Sequence, residues 1–320
     1  MDIKNNALAK TARAYAGGGF GKRAAKDFKR NYSLYLIALP VLLFYILFAY
    51  KPMYGVWIAF TRFNPAQGIV GSPWVGLANF TSFFRSHYFA RLMKNTLFIS
   101  AASILFSIPS AVLLALLINE VKSKAFAKTV QTITYMPHFI SLVVVCGIVA
   151  DFVSLDGLVN KILALFGAEA VSFLQMPEYF VPIYIISDLW QEVGWSSIIY
   201  LAAIVGIDAE LYEAATIDGA GRVRQVLHIT LPGILPTVVI MLLLRLGAIM
   251  NVGFEKIILL YNPMIYDTSD VISTYVYRAG LENFDFGLSA AVGLFNSVIN
   301  FALILISNTL CRKLNETSLW

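Results

Sequence analysis

Six long, predominantly apolar stretches dominate this chain, at residues 33–58, 95–118, 131–152, 180–206, 233–261 and 286–310. Each exceeds the roughly 20 residues needed to cross a bilayer's hydrocarbon core. With no water there to satisfy backbone N–H and C=O groups, an isolated apolar segment can span only as a helix. The composition agrees: 58% of the residues are hydrophobic and 13% charged, against about 25% charged in a soluble domain. The expected fold is an all-α integral membrane protein with six transmembrane helices. Pro40, Pro109, Pro182 and Pro236 fall within or at the ends of spans, where kinks are tolerated.

The net charge of +5 is a topology signal rather than a nucleic-acid surface. Segments 1–32, 119–130, 207–232 and 311–320 carry eight, three, two and two Lys or Arg, while 153–179 and 262–285 carry one each. Basic residues concentrate on cytoplasmic loops, so both termini are expected in the cytoplasm, an arrangement that six spans satisfy. The segment 61–94, with Arg62, Arg85, Arg91 and Lys94, is the exception. Residues 1–32 form a basic N-terminal segment, in which 20–32 is either a short helix on the inner leaflet or a disordered tail. It is too long and too charged for a cleavable signal peptide. Trp57, Trp74 and Tyr88 suit interfacial anchoring in or beside the outer loop.

Catalytic and metal signatures are lacking. Cys146 and Cys311 are read as free thiols, and His87, His138 and His228 stand apart with no metal-like spacing. His138 reads as a structural histidine. GGGFGK at 17–22 has Ala16 where a phosphate loop needs glycine and Arg23 after the lysine, so ATP hydrolysis on this chain is not expected. No metal or other cofactor is expected on it.

Between the fourth and fifth spans stands LYEAATIDGAGRVRQVLHITLPGILP, residues 211–236. Leu211–Ile217 favours a helix, Gly219 and Gly221 permit a reversal, and Arg222–Ile229 can form a second short helix. Pro232 suits the first turn of span five. A helix–turn–helix too polar to span and too apolar to be a free loop is suited to a groove on a partner.

The pattern Glu213-Ala214-Ala215, Gly219, Ile229-x-Leu231-Pro232 resembles the EAA loop of permeases in binding-protein-dependent ABC importers. The resemblance implies a type I importer permease (MetI-like) fold over 33–310, with 207–232 as the coupling loop and 311–320 as a cytoplasmic tail. It implies a bacterial inner-membrane location and docking of the loop on an ATPase through Glu213, Ala214, Ala215, Asp218, Gly219, Arg222, Ile229, Leu231 and Pro232. Glu213 would meet a basic group there, and Asp218, Arg222 and Arg224 would be rim charges. The implied partners are two ATPase subunits, which would bind ATP and Mg, a second permease and an extracytoplasmic solute-binding protein.

VGLANF (75–80), KNTL (94–97), KPMYGVWIAF (51–60), YMPHFIS (135–141), NVGFEKIILLYNP (251–263) and VISTYVYRAGL (271–281) resemble the carbohydrate branch. That implies uptake of oligosaccharides or polysaccharide fragments by alternating access. A permease of the same fold for peptides or anions is the alternative, and a membrane-embedded enzyme a more distant one.

Polar groups inside spans are expensive and mark candidate pathways. Span four holds Asp188, Trp190, Gln191, Glu192 and Trp195, with 188, 191, 192 and 195 on one helical face. Span five holds Arg245, Asn251, Glu255 and Lys256; span six holds Asn296 and Asn300. Aromatic faces beside amides and carboxylates suit sugars. Arg245 either pairs with Asp188 or Glu192, or it or Lys256 meets a uronic-acid carboxylate. Asn296 and Asn300 are either sugar contacts or interhelical glue.

Overall fold

The computed structural model describes residues 27–315. The expected terminal segments lie outside them up to residue 26 and from residue 316. The chain divides into two compact units, 1–57 and 58–320.

Helix α1 (Tyr32–Phe60) opens as α-helix, passes through a π-helical turn at Tyr45–Tyr50 and finishes as 3-10 helix from Lys51. No residue from Tyr32 to Tyr50 is buried. A helix apolar on every side suits lipid or another apolar surface.

After α1, an antiparallel bridge joins Thr61 to Trp74. Trp74 stacks on Phe60 at 5.4 Å, and Asn79 donates to the carbonyls of Ala59 (2.9 Å) and Thr61 (3.0 Å). Asn79 lies on the short helix α2 (Ala78–Arg85). The Pro-, Gly- and aromatic-rich segment is therefore ordered.

Helix α3 (Tyr88–Glu120) is the second span and α4 (Lys124–Tyr135) follows it. The third span is not one rod. A 3-10 turn at Met136–Phe139 separates α4 from α5 (Leu142–Phe152), and the axis bends by 99°. Pro137 lies in that turn and Ile140 is extended, so the backbone cannot continue the α4 ladder. A small helix α6 (Leu158–Leu165) leads to α7 (Pro177–Val205), the fourth span.

The loop between spans four and five contains α8 (Ala209–Ile217). The expected second short helix does not end before span five. It continues from Arg222 through a π-helical turn at Val226–Thr230 as one helix, α9 (Arg222–Gly247).

Span five also differs from the expected continuous helix. After Gly247 come a 3-10 turn at Ile249–Asn251, Gly253 in the left-handed region, then α10 (Phe254–Leu260). The freed backbone groups are met by side chains. Ser100 donates to the Ile249 carbonyl, and Met250 N–H donates to Asn300 Oδ1 at 3.0 Å. Asn296 donates to Asn251 Oδ1 at 2.6 Å. Such compensation is what permits irregular backbone at membrane depth. The helices α11 (Ile272–Tyr277) and α12 (Phe286–Asn315) complete the fold.

Among the described residues, four helices are long and apolar enough to cross a membrane, and the bent pair makes five. Helix α7 has 29 residues, or about 44 Å; Glu178, Asp188 and Glu192 make it more polar. The six expected spans thus map onto four apolar helices, one bent pair and α7.

The second unit packs chiefly by α7 against α3. Ile99, Phe180, Tyr184, Ile257 and Val271 form one buried cluster, and Ala111, Ala115, Tyr200, Ile204 and Ile234 another. The alanines of α3 permit close helix approach, as membrane bundles require.

One polar cluster has no signal in the hydropathy pattern. Asp270 is fully buried and receives Arg278 Nη2 at 2.6 Å, Thr274 Oγ1 at 2.9 Å and Arg91 Nη2 at 3.7 Å. Arg91 also pairs with Asp267 at 2.8 Å, and Asn95 donates to the carbonyls of Asp267 and Asp270. The segment after α10 is thereby clamped to the start of α3.

Candidate functional site

The loop expected to couple to an ATPase is built from α8 and the start of α9. Asp208 caps α8, its Oδ1 accepting from Glu210 N–H at 3.0 Å. At the other end Ala220 N–H donates to the Ala215 carbonyl (2.8 Å) and Gly219 N–H to that of Thr216 (3.1 Å). This paired closure requires a left-handed residue after the C-cap, and Gly219 supplies it at φ +75°. Gly221 is extended and precedes α9.

Glu213, Ala214 and Asp218 are exposed, Ala215 and Ile229 half-buried. Leu211, Ile217, Val223 and Leu227 leave apolar side chains exposed, Ile217 at 86%. Tyr212 and Thr230 share a hydrogen bond of 3.0 Å, and Gln225 donates to Thr216 and the Ala220 carbonyl. The loop is thus held in shape internally while its apolar edge stays uncovered. Arg222, expected as a rim charge, pairs with Glu120 at 3.4 Å, an exposed contact of small energetic weight. Leu231 and Pro232 lie inside the continuous helix α9 and join the loop to span five.

The second site is a cavity of about 600 Å³ between α7, the 138–142 turn and the broken part of span five. Asp188, Gln191 and Glu192 line it from α7, and Asn251, Glu255 and Lys256 from span five. Two Nδ1 contacts join His138 to Glu192, at 2.9 and 3.1 Å. The His138 ring stacks on Trp195 at 4.5 Å with planes 3° apart. Asp188, Gln191, Glu192 and Trp195 therefore converge on one region.

Several expectations are corrected. Asp188 pairs with Lys256 at 3.6 Å and Glu192 with His138, whereas Arg245 sits exposed on α9. Trp190 points away from the polar cavity and lines a separate apolar one of about 450 Å³ with Phe152, Phe173 and Tyr179. Asn251 and Glu255 share the cavity because of the helix break, not through a continuous i, i+4 face. Asn296 and Asn300 brace that break. His138, expected to be merely structural, is delivered to the cavity by the bend at Pro137, a placement that hydropathy could not reveal.

Gly253 sets the entry of α10 into the cavity. Its φ is +31° and a Cβ there would run into the Tyr184 hydroxyl. Gly253→Ala is expected to displace α10 and lower the melting temperature of the purified protein by several degrees. An unchanged melting curve would show that Tyr184 simply moves aside.

An exposed helical loop joined by one continuous helix to a polar cavity within a bundle of spans suits a membrane transport subunit. Residues 97–316 match the family described as the inner membrane component of binding-protein-dependent transport systems. The chain belongs to this family and is a multi-pass permease subunit of an ABC importer. It is 44% identical over 288 residues to the polygalacturonan/rhamnogalacturonan transport system permease protein YteP of Bacillus subtilis, covering 90% of each chain. It is 40% identical to Protein LplB of the same organism over 306 residues, covering 95% of this chain and 96% of LplB. Among solved structures, a chain of a bacterial ABC transporter involved in import of the acidic polysaccharide alginate matches with a TM-score of 0.86. That match has 47% identity and covers 92% of this chain and 99% of the other. A similar transporter chain, 46% identical with the same coverage and TM-score, was solved with an alginate pentasaccharide-bound periplasmic protein.

Proposed function

We propose that this subunit imports oligosaccharides or polysaccharide fragments by alternating access, as one half of a two-permease pore. The observation that carries the substrate class is similarity over nine-tenths of the chain to a permease named for polygalacturonan and rhamnogalacturonan, and to an alginate importer. The cavity supports it: carboxylates, two amides and the rings of His138 and Tyr184 present hydrogen-bonding edges and apolar faces, with Trp195 stacked behind His138, in a volume typical of small-molecule sites.

In this reading two ATPase subunits bind ATP and Mg and close on each other, and the loop Glu213–Pro232 moves with them. An external binding protein delivers the saccharide to the opposite face. The basic termini lie in the cytoplasm, consistent with the charge distribution. The second permease is a different chain, as is usual in the carbohydrate branch that this sequence resembles.

The test is reconstitution of this chain with its second permease, ATPase and binding protein in proteoliposomes. ATPase activity stimulated by saccharide-loaded binding protein, with saccharide accumulation, is the expected result. Stimulation by peptides or inorganic anions but by no saccharide would overturn the substrate assignment.

A further inference from the structure

Lys256 has no settled place in a cavity built for neutral sugars. Its side chain is 4% exposed, yet it lines the polar cavity. Among the described residues Nζ has no hydrogen-bond acceptor. Asp188 Oδ1, at 3.6 Å, is close enough for an ion pair and too far for a hydrogen bond. The Tyr184 ring lies 5.5 Å from Nζ. An ammonium carries three donors, and withdrawing one from water with none of them used is costly.

The other charged groups of the cavity are differently occupied. Glu192 is engaged by His138, and Glu255 is exposed. Lys256 is thus, among the described residues, the one lysine or arginine lining this cavity, held in place by packing and free in its hydrogen bonding. Arg245, the other candidate, is not part of the lining.

We propose that Lys256 reads acid groups on the transported saccharide, donating to a uronate carboxylate in a charge-assisted hydrogen bond while Asp188 turns to a sugar hydroxyl. The inference rests on the saccharide reading and narrows it to acidic oligosaccharides. A carboxylate at about 2.7–2.9 Å would make the bond that Asp188 is too distant to make. Asp188 then serves as a resting counter-ion to the ammonium between cycles.

The simpler role, in which Lys256 only neutralises Asp188, makes different predictions for paired variants. The probes are oligogalacturonate and oligoalginate, each with its methyl-esterified counterpart, given to the assembled importer in proteoliposomes. Lys256→Met is expected to lower uptake of the acidic oligomers at least about tenfold, the scale of a lost charged hydrogen bond. It should leave the esters within about threefold of their own wild-type rate. Lys256→Arg should retain most acidic uptake.

Adding Asp188→Asn to Lys256→Met removes the uncompensated carboxylate, so assembly recovers whatever the role of Lys256. Acidic uptake stays low in the double variant if Lys256 reads the substrate. Recovery of acidic uptake to near wild type, or equal loss of acidic and esterified oligomers in Lys256→Met, overturns the proposal while leaving saccharide import intact. A wild-type importer that carries neither class overturns the saccharide reading itself, and this inference with it.

Discussion

Glu213→Ala and Gly219→Val are each expected to leave the protein inserted and folded while transport per ATP hydrolysed falls on the order of tenfold or more. Glu213 is exposed and makes no contact that the fold needs. The loop is braced instead by the Asp208 cap, the double turn after Ala215 and the Tyr212–Thr230 bond. Truncating one charge of a desolvated pair across an interface typically costs about 2–5 kcal/mol or more, while an exposed carboxylate without a partner costs little. Gly219 acts differently. A Cβ added there would meet nothing within 4 Å, but φ is +75°. A β-branched residue in that region is strained by roughly 1–2 kcal/mol, so the turn reshapes without disturbing the bundle. The measurement is coupled ATPase and uptake in proteoliposomes. Wild-type transport by Glu213→Ala with an assembled ATPase would show that energy enters elsewhere.

Asp270→Ala has the larger expected effect on stability. The carboxylate is fully buried between Arg278 and Arg91 and accepts from Thr274. Removing it leaves Arg278 half-buried without its carboxylate, while Arg91 keeps only its bond to Asp267. Breaking a buried pair in this way costs about 3–5 kcal/mol, enough to prevent accumulation of many membrane proteins. Asp270→Asn keeps the Thr274 hydrogen bond and should fall in between. Purified yield and thermal aggregation in detergent provide the readout. A variant melting within a degree or two of wild type would mean that water or lipid headgroups replace the carboxylate.

How far this was legible in the sequence follows from the range of each signal. The shape of the 211–236 loop was readable because its determinants are local: helix-favouring residues from Leu211 to Ile217 and a glycine at 219 that takes the left-handed turn. Asp188, Gln191 and Glu192 were readable as one face because α7 runs unbroken through them. The choice of partner was not. The sequence offered Arg245 as a partner for Asp188 or Glu192, whereas the break near Gly253 brings Lys256 to Asp188 instead. Hydropathy averages over a window, so the 99° bend at Pro137 and the break after Gly247 both pass as continuous spans. Trp190 shows the converse error: adjacency to Gln191 suggests a shared site, whereas neighbouring positions on a helix face roughly 100° apart.

The interruption of span five also limits how a push can travel. From Arg222 to Gly247 the chain is one helical rod of 26 residues, about 39 Å long. A displacement applied to the loop at its start would be carried along this rod, past the π-helical turn at Val226–Thr230 and Pro236, towards Gly247. Beyond it the backbone is compliant, and the stiff path leaves the main chain. It runs sideways through Ser100 into α3, and through Asn296 and Asn300 into α12. Thrust along one axis is thereby divided among three spans at the level of the cavity, as a lever divides at its fulcrum. Shortening any of those three side chains is expected to change how a movement of span five is shared with α3 and α12.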